Sequence, residues 1–239
     1  MGGTELNRLI IIGASGHGKV VADIARLVGY EEIVFLDNNY AIKKCVGYPV
    51  MGPDTMTKEL EGDIFVAIGN SGFRKKLMDR DSDRMFPTLI HPDAVIAKGS
   101  VVGEGSVIMA GVVINPDVKV GKSAIINTSS SVDHDCIIGD YCHISVGTHL
   151  SGAVCVGDNC WIGAGAIVSN NVNVCSDVII GAGAVVIKDI QEEGTYIGVP
   201  AKKMLKSKAS AVKQGECTKT KNQILKVESV SDNLGGGIM

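Results

Sequence analysis

An aliphatic residue recurs at every sixth position from Ile96 to Val186. The sixteen positions of this series are all Ile, Val or Leu, and the residue two places before each is Ala, Ser, Cys, Thr or Val. Neither the two-residue period of a strand nor the 3.6-residue period of a helix produces this spacing. It is typical of a hexapeptide repeat, in which each hexad forms one short strand and one corner and three hexads close a triangular coil. We therefore expect a left-handed parallel β-helix of about five coils.

The segment before the repeat has a different pattern. The apolar run LIII at residues 9–12 leads into GASGHG and then into KVVADIARLVGY, whose apolar residues follow helical spacing. A second strand, IVFLDN, reaches Asp37 about twenty residues after the glycines, as in a Rossmann-type unit. A third strand, DIFVAIGN, precedes the helical segment SGFRKKLMDR. Three such strand–helix units predict an α/β Rossmann-like domain over residues 1–88, followed by the β-helix domain over residues 89–206.

The end of the chain departs from the repeat. The hexad register fails at Glu192, and the segment EEGTYIGVPAKKMLK follows. Residues 207–239 are polar, rich in Lys and Ser, and end in NLGGGIM. This composition predicts a disordered tail over residues 207–239.

Charge and cysteine content narrow the possible partners. The formal net charge is −3 and the basic residues are scattered, so we expect no nucleic-acid partner. The apolar run near the N-terminus is too short for a signal peptide or a membrane span, so we expect no membrane association and a cytoplasmic location. The seven cysteines lack metal-like spacing, which predicts reduced thiols and no bound metal.

The stretch NTSSSVDHDCIIGD places a histidine and an aspartate at a predicted corner. His134 and Asp135 follow the inward-facing Val132 by two and three places, so both should face outward. An imidazole beside a carboxylate can act as a general base near neutral pH. A solvated turn is the structural alternative. A zinc site, as in β-helical carbonic anhydrases, is a third, but His134, His143 and His149 lack the eighteen-residue spacing that would stack them.

The glycine-rich segment GASGHG is compatible with two interpretations. It does not follow the pattern G-x-G-x-x-G, so it could be only a tight turn between strand and helix. Its backbone amides could also hold a uridine diphosphate at the helix N-terminus, where the helix dipole favours negative charge.

Several motifs together resemble one enzyme family. They are GASGHGKVVADIA, FLDN, VAIGN, LIHPDAVIA leading into the hexads, the HDC triplet, and a terminal GVPAK. In this order they are similar to the sialic-acid O-acetyltransferase-like sugar acetyltransferases, especially the UDP-4-amino-sugar N-acetyltransferases of bacillosamine synthesis. The resemblance covers roughly residues 8–205. It implies a homotrimer that uses acetyl-CoA as co-substrate and binds a nucleotide sugar at its N-terminal domain.

The resemblance also implies roles for individual residues. His134 matches the catalytic base, and Asp135 matches the acid that supports it. The positions that match acetyl-CoA contacts are His143, Gly152, Ala164 and Ala182. The positions that match nucleotide-sugar contacts are Ser15, Gly16, His17, Asp37, Asn38 and Gly69. In the bacillosamine enzymes an acidic pair ends the second strand, whereas this chain has Asp37 and Asn38 there. The resemblance therefore does not define the exact nucleotide or sugar.

The expected activity is transfer of an acetyl group from acetyl-CoA to the amine of a nucleotide-linked amino sugar. His134 would be the general base, and transfer would be direct, without a covalent enzyme intermediate. One alternative is a sialic acid or related sugar O-acetyltransferase, in which His134 would deprotonate a hydroxyl. The other is a non-catalytic sugar-nucleotide-binding β-helix protein, which would have no use for an oriented base.

Overall fold

The structure is a computed structural model that describes residues 7–204. The predicted tail over residues 207–239 lies outside the described residues. Among the helices of residues 7–204, none is long and apolar enough to cross a membrane.

The N-terminal part is a mainly parallel sheet with helices. Its elements are β1 (Arg8–Ile12), α1 (Gly16–Leu27), β2 (Glu32–Leu36), β3 (Lys44–Cys45), β4 (Tyr48–Gly52), a 3-10 helix (Asp54–Lys58), β5 (Asp63–Val66) and α2 (Ser71–Arg80). The strand order is β3-β4-β2-β1-β5, and β1 pairs in parallel with both β2 and β5. Residues 9–12 of β1 are at most 2% exposed because both faces of the sheet are covered, which explains the unbroken apolar run.

The connection between β2 and β5 differs from the predicted strand–helix unit. It holds the antiparallel hairpin β3–β4 and the short 3-10 helix, with no α-helix. Val46 and Gly47 form the hairpin turn with φ values of 43° and 90°, a left-handed geometry that suits a tight hairpin. Pro49 and Pro53 in this segment disfavour a helix. The prediction of three strand–helix units was therefore wrong for the second unit.

The chain then forms a left-handed parallel β-helix with three flat faces. Face 1 contains Leu89–Ile90, Val107–Ile108, Ile125–Ile126, His143–Ile144, Trp161–Ile162, Val178–Ile180, Gly194–Ile197 and Lys202–Lys203. Face 2 contains Val95–Ile96, Val113–Ile114, Ser131–Val132, His149–Leu150, Ile167–Val168 and Val185–Val186. Face 3 contains Val101–Val102, Lys119–Val120, Ile137–Ile138, Cys155–Val156 and Asn173–Val174.

The hexapeptide prediction is confirmed strand by strand. Each predicted inward residue is the last residue of a short strand, and strands pair in parallel with partners eighteen residues away, as Ile114 does with Val132 and Val132 with Leu150. These three side chains are at most 1% exposed and stack along the interior. The two strands Gly194–Ile197 and Lys202–Lys203, which extend face 1 after the register fails, have no hexad signal in the sequence.

The N-terminal part packs on face 1 of the β-helix. Outward-facing Val107 and Ile125 of face 1 join a buried cluster with Leu9 and Val21 of the α/β part. Arg74 of α2 is also buried here, at 1% exposure, and its guanidinium donates hydrogen bonds to the carbonyl oxygens of Ser123 and Tyr141 in the β-helix. Apolar packing and a polar anchor therefore fix the two parts together.

Candidate active site

The predicted base and its acid form a contact at one corner of the β-helix. His134 and Asp135 lie between the face 2 strand Ser131–Val132 and the face 3 strand Ile137–Ile138. The Nδ1 atom of His134 lies 2.7 Å from Oδ2 of Asp135. The two side chains are 59% and 60% exposed, so the imidazole can reach a bound molecule.

The corner geometry explains why an aspartate follows the histidine. Asp135 has a φ of 60°, in the left-handed region, and the same corner position is occupied by Asp117 one coil earlier and Asn171 two coils later, with φ values of 61° and 59°. Asp and Asn tolerate this conformation better than most residues. An aspartate here is therefore expected from the fold alone, and it is the 2.7 Å contact with the imidazole that points to a chemical role.

The carboxylates next to His134 raise its pKa. The hydrogen bond that His134 donates to Asp135 makes the largest contribution, and the negative charge of Asp133 adds to it. A carboxylate that accepts from Nδ1–H also fixes the tautomer, because the proton then sits on Nδ1 and the lone pair on Nε2 remains available to accept a proton. This arrangement suits a base that takes a proton from an incoming group.

Gly152 lies directly against the imidazole. It is one coil after His134 at the same corner, and a Cβ atom added to it would lie 2.7 Å from Cε1 and Nε2 of His134. The next residue, Ala153, donates its N–H to the carbonyl oxygen of His134. The absence of a side chain at residue 152 therefore makes room for the imidazole.

The residues matched to acetyl-CoA contacts lie on different sides of the β-helix. Gly152 is at the corner between faces 2 and 3. Ala164 and Ala182 are exposed at the corner between faces 1 and 2, where the Ala164 carbonyl accepts from the N–H of Gly183. His143 is on face 1. One chain thus pairs Gly152 with His134 and Ala164 with Ala182, but it does not bring all four together.

A cleft of about 230 Å³ lies at the carboxyl ends of β1, β2 and β5. Four of the six residues matched to the nucleotide sugar line it: Ser15, Asp37, Asn38 and Gly69. Gly16 is exposed in the first turn of α1, next to this cleft. The carboxyl edge of a parallel sheet is the usual place for a nucleotide ligand.

The polar side chains of this cleft are held in place by hydrogen bonds. Asp37 accepts the N–H of Ala14 at Oδ2 and the N–H of Asn39 at Oδ1, each at 2.8 Å. Asn38 donates to a carboxylate oxygen of Asp54 at 2.7 Å and accepts the N–H of Asp54. Asp54, which has no signal in the sequence pattern, thereby fixes the cleft wall and is itself paired with Arg80.

His17 lies at the junction with the β-helix and does not line this cleft. Burial is the main cause that lowers its pKa to about 4, and the positive charge of Arg74 contributes. His143 across the junction has its pKa lowered to about 4 by burial, with contributions from Arg74 and His17. Both imidazoles are therefore neutral near pH 7.

A second cleft, of about 360 Å³, opens beside His143. It shares Gly69 with the first cleft and is also lined by Asn70, Tyr141 and Trp161. The rings of His143 and Trp161 are stacked with centroids 5.5 Å apart, and Nε2 of His143 lies 3.2 Å from Nδ2 of Asn127. His143 therefore lies at the junction of the two parts, in a cleft that continues from the predicted nucleotide cleft.

Arg74 is a residue that sequence reasoning missed. Its guanidinium donates to the carbonyl oxygens of Ile68, Gly69, Ser123, Tyr141 and Cys142. It thus connects Gly69, which lines the first cleft, to the strand that carries His143. In a helical segment as highly charged as SGFRKKLMDR, an arginine is expected to be solvent-exposed, and no local pattern shows that Arg74 is buried.

The zinc alternative gains no support from the geometry. Within residues 7–204, no group of three His, Cys, Asp or Glu side chains could hold a metal ion. His134 lies at a corner, His143 on face 1 and His149 on face 2, so the three do not converge. His149 forms a hydrogen bond with Ser131. Cys136, Cys142 and Cys160 are buried thiols whose Sγ atoms donate to backbone carbonyls.

The chain is similar to known sugar acetyltransferases. Residues 8–80 match the family model of the PglD N-terminal domain. Over 114 residues the chain is 36% identical to the UDP-N-acetylbacillosamine N-acetyltransferase of Bacillus subtilis, across 44% of this chain and 52% of that enzyme. The chain thus spans about half the length of this curated relative.

Solved structures extend the similarity to nearly the whole described chain. The acetyltransferase domain of PglB from Neisseria gonorrhoeae is 40% identical to this chain and superposes with a TM-score of 0.80. The match covers 83% of this chain and 100% of that domain, which has also been solved in complex with acetyl coenzyme A. PerB from Caulobacter crescentus, in complex with CoA and GDP-perosamine, is 38% identical with a TM-score of 0.77, across 82% of this chain and 96% of PerB. The chain therefore belongs to the family of left-handed β-helix sugar N-acetyltransferases that includes these proteins.

Proposed function

We propose that this protein transfers an acetyl group from acetyl-CoA to the amine of a nucleotide-linked amino sugar. The observation that carries the proposal is the exposed His134–Asp135 pair, 2.7 Å apart and placed over Gly152. Such a pair provides an oriented base, which a binding module does not need. Family membership supplies the reaction class, since the relatives bind acetyl-CoA or CoA and, in PerB, GDP-perosamine.

In the proposed reaction, Nε2 of neutral His134 takes a proton from the amine as the amine nitrogen attacks the thioester carbonyl. The carbon–sulfur bond then breaks, and the departing thiolate of CoA receives the proton from the imidazolium. Asp135 stabilises the imidazolium formed between the two steps. No covalent enzyme intermediate is required.

His143 has a different role in this proposal. Because its pKa is lowered to about 4, it stays neutral and can contribute a hydrogen bond but no charge. We assign it a contact with the acetyl-CoA thioester, as the family resemblance implies. The stacked ring of Trp161 keeps its imidazole in one orientation.

The nucleotide sugar would bind in the cleft at Ser15, Asp37, Asn38 and Gly69. The backbone amides at the start of α1 favour the diphosphate, since they carry partial positive charge. We propose a UDP-linked 4-amino sugar, which is supported by the match to the Bacillus subtilis enzyme. Gly16 and His17 contribute through the first turn of α1 and the junction.

We further propose a homotrimer whose active sites are shared between copies. In a triangular β-helix the corner between faces 2 and 3 is opposite face 1, so His134 lies across the β-helix from the nucleotide cleft of its own chain. A neighbouring copy related by rotational symmetry can bring its own His134 corner to that cleft. The same packing would unite the acetyl-CoA residues that one chain keeps apart. A cytoplasmic location, where thiols stay reduced, fits the free cysteines of residues 7–204.

The test is an assay of free thiol released from acetyl-CoA. Purified protein is incubated with UDP-, GDP- and dTDP-linked 4-amino sugars, and with sialic acid as a hydroxyl acceptor, and products are identified by mass spectrometry. The proposal expects thiol release with a UDP-linked amino sugar and a product that has gained one acetyl group on nitrogen. Acetylation of sialic acid alone would favour the O-acetyltransferase alternative, and no thiol release with any acceptor would contradict the proposed function.

A further inference from the structure

The backbone of His134 is held by a polar pair that spans two coils. Oδ1 of Asp133 accepts the backbone N–H of His134 at 2.8 Å and also accepts Nδ2 of Asn115 at 2.7 Å. Asn115 occupies the position of Asp133 on the preceding coil, eighteen residues earlier. A hydrogen-bonded link therefore runs from the neighbouring coil through one carboxylate to the residue that carries the base.

This polar pair is confined to the coil of His134 and the coil before it. The same position on the other coils along this corner is taken by residues without a carboxylate or amide: Ala97, Ser151, Ser169 and Ile187. The β-helix closes this corner on those coils without such a pair. The pair is thus not a requirement of the fold, and its location next to His134 needs another reason.

The other contacts of His134 do little to fix the orientation of its imidazole. The carbonyl of His134 accepts from Ala153 on the following coil, and the ring lies against Gly152, which has no side chain to hold it. The ring is 59% exposed, so surrounding side chains do not enclose it. Orientation must come from the turn itself and from Asp135.

We propose that Asn115 and Asp133 form a positioning pair for His134 in the acetyl-transfer reaction. The inference rests on the proposed function. Asn115 anchors the carboxylate of Asp133, and that carboxylate fixes the turn at His134 and adds negative charge behind the imidazole. Neither residue contacts substrate in this proposal.

The ionisable groups around His134 are few, which makes the charge effect testable. Asp133 and Asp135 flank it in sequence, and Asp117 is at the same corner one coil earlier. The following coil presents Ser151, Gly152 and Ala153, which carry no charge. The pKa of His134 is raised first by Asp135 and then by Asp133, so loss of the Asp133 charge should lower it.

Two variants separate the charge of Asp133 from its anchor. Asp133→Asn removes the charge but keeps an oxygen that can accept from the His134 N–H and from Asn115. Asn115→Ala keeps the charge and removes the anchor. Asp158→Asn is the matched control, because the Asp158 carboxylate likewise accepts a backbone N–H, that of Asp140 on the preceding coil at 2.8 Å, at a corner without histidine.

The pKa of His134 is measured by NMR titration of the imidazole, assigned with His134→Ala, alongside kcat and both KM values across pH. We expect Asp133→Asn to lower the pKa of His134 and move the acid limb of kcat to lower pH. We expect Asn115→Ala to lower kcat about tenfold with little change in either KM, since loss of orientation costs rate. Asp158→Asn should leave the pKa and kcat as in the wild type.

If both variants match Asp158→Asn in the pKa of His134 and in kcat, the inference is overturned. A lower melting temperature with an unchanged pKa and kcat would likewise assign the pair a structural role only. If the wild-type protein acetylates no sugar, the proposed function fails. The NMR titration would then still show whether Asp133 and Asn115 act on His134.

Discussion

Replacing Arg74 by methionine should be among the most destabilising single changes at the junction of the two parts. The side chain is 1% exposed, and its guanidinium donates five hydrogen bonds to carbonyl oxygens on three segments of the chain. Methionine fills a similar space along the stem but supplies no donor. The substitution therefore tests the polar anchor while it preserves most of the apolar packing.

The expected loss of stability follows from those contacts. A buried acceptor left unpaired costs roughly 1–3 kcal/mol, so five would cost about 5–15 kcal/mol if nothing compensated. Two effects reduce this: the Cys142 carbonyl still accepts from Ile125, and the protein no longer buries a charge whose pKa burial has lowered to about 10. We expect a net loss of about 3–5 kcal/mol, below the uncompensated sum and large for a single substitution.

The assay is thermal unfolding by circular dichroism at one fixed protein concentration, because assembly would make the transition concentration-dependent. For a chain of this size, about 3–5 kcal/mol corresponds to a decrease in Tm of roughly 6–20 °C. Arg26→Met is the control, since the Arg26 side chain is 60% exposed and, within residues 7–204, pairs only with Asp23 on the surface, where such pairs contribute about 1 kcal/mol or less. An Arg74→Met protein that melts with the control would refute the anchoring role.

Three further predictions concern the site. Asp135→Asn removes the main cause of the raised pKa of His134, so the acid limb of kcat/KM should move to lower pH. An unmoved acid limb would exclude Asp135 as the partner of His134. Gly152→Ala places a methyl group against the imidazole and should lower kcat by up to about 100-fold in steady-state assays, whereas unchanged kcat would show that the ring has room to move. Asp37→Ala should raise the KM for the nucleotide sugar roughly 10- to 100-fold, as expected for a lost hydrogen bond to a charged group, and leave the KM for acetyl-CoA unchanged. Equal changes in both KM values would place the sugar elsewhere.

The hexad pattern allowed the β-helix to be predicted almost residue by residue because its signal is local and repeated. Each inward position must be aliphatic to stack on its equivalent eighteen residues away, so every hexad carries the same information. The hairpin β3–β4 and the closing strands of face 1 form single, non-repeated pairings. Their short segments lack a period that could be read from the sequence.

Within the candidate site, the contact that could be predicted is one between residues adjacent in sequence. His134 and Asp135 are adjacent in sequence, so their contact at a corner could be expected. The repeat places Asn115 beside Asp133, eighteen residues later, although it does not single out this pair. Arg74 reaches Tyr141 across 67 positions of the chain, a separation that no repeat relates. Such contacts depend on tertiary packing, which a single sequence does not reveal.

The most direct test of the central proposal is the kcat of His134→Ala with saturating acetyl-CoA and the accepted nucleotide sugar. The wild-type rate should fall as pH drops through the raised pKa of His134, because protonation removes the base. We predict that His134→Ala lowers kcat by roughly 10²- to 10⁴-fold, loses this acid limb, and still binds acetyl-CoA. Near-normal kcat in a folded His134→Ala protein, with only a reduced melting temperature, would contradict the assignment of His134 as the general base.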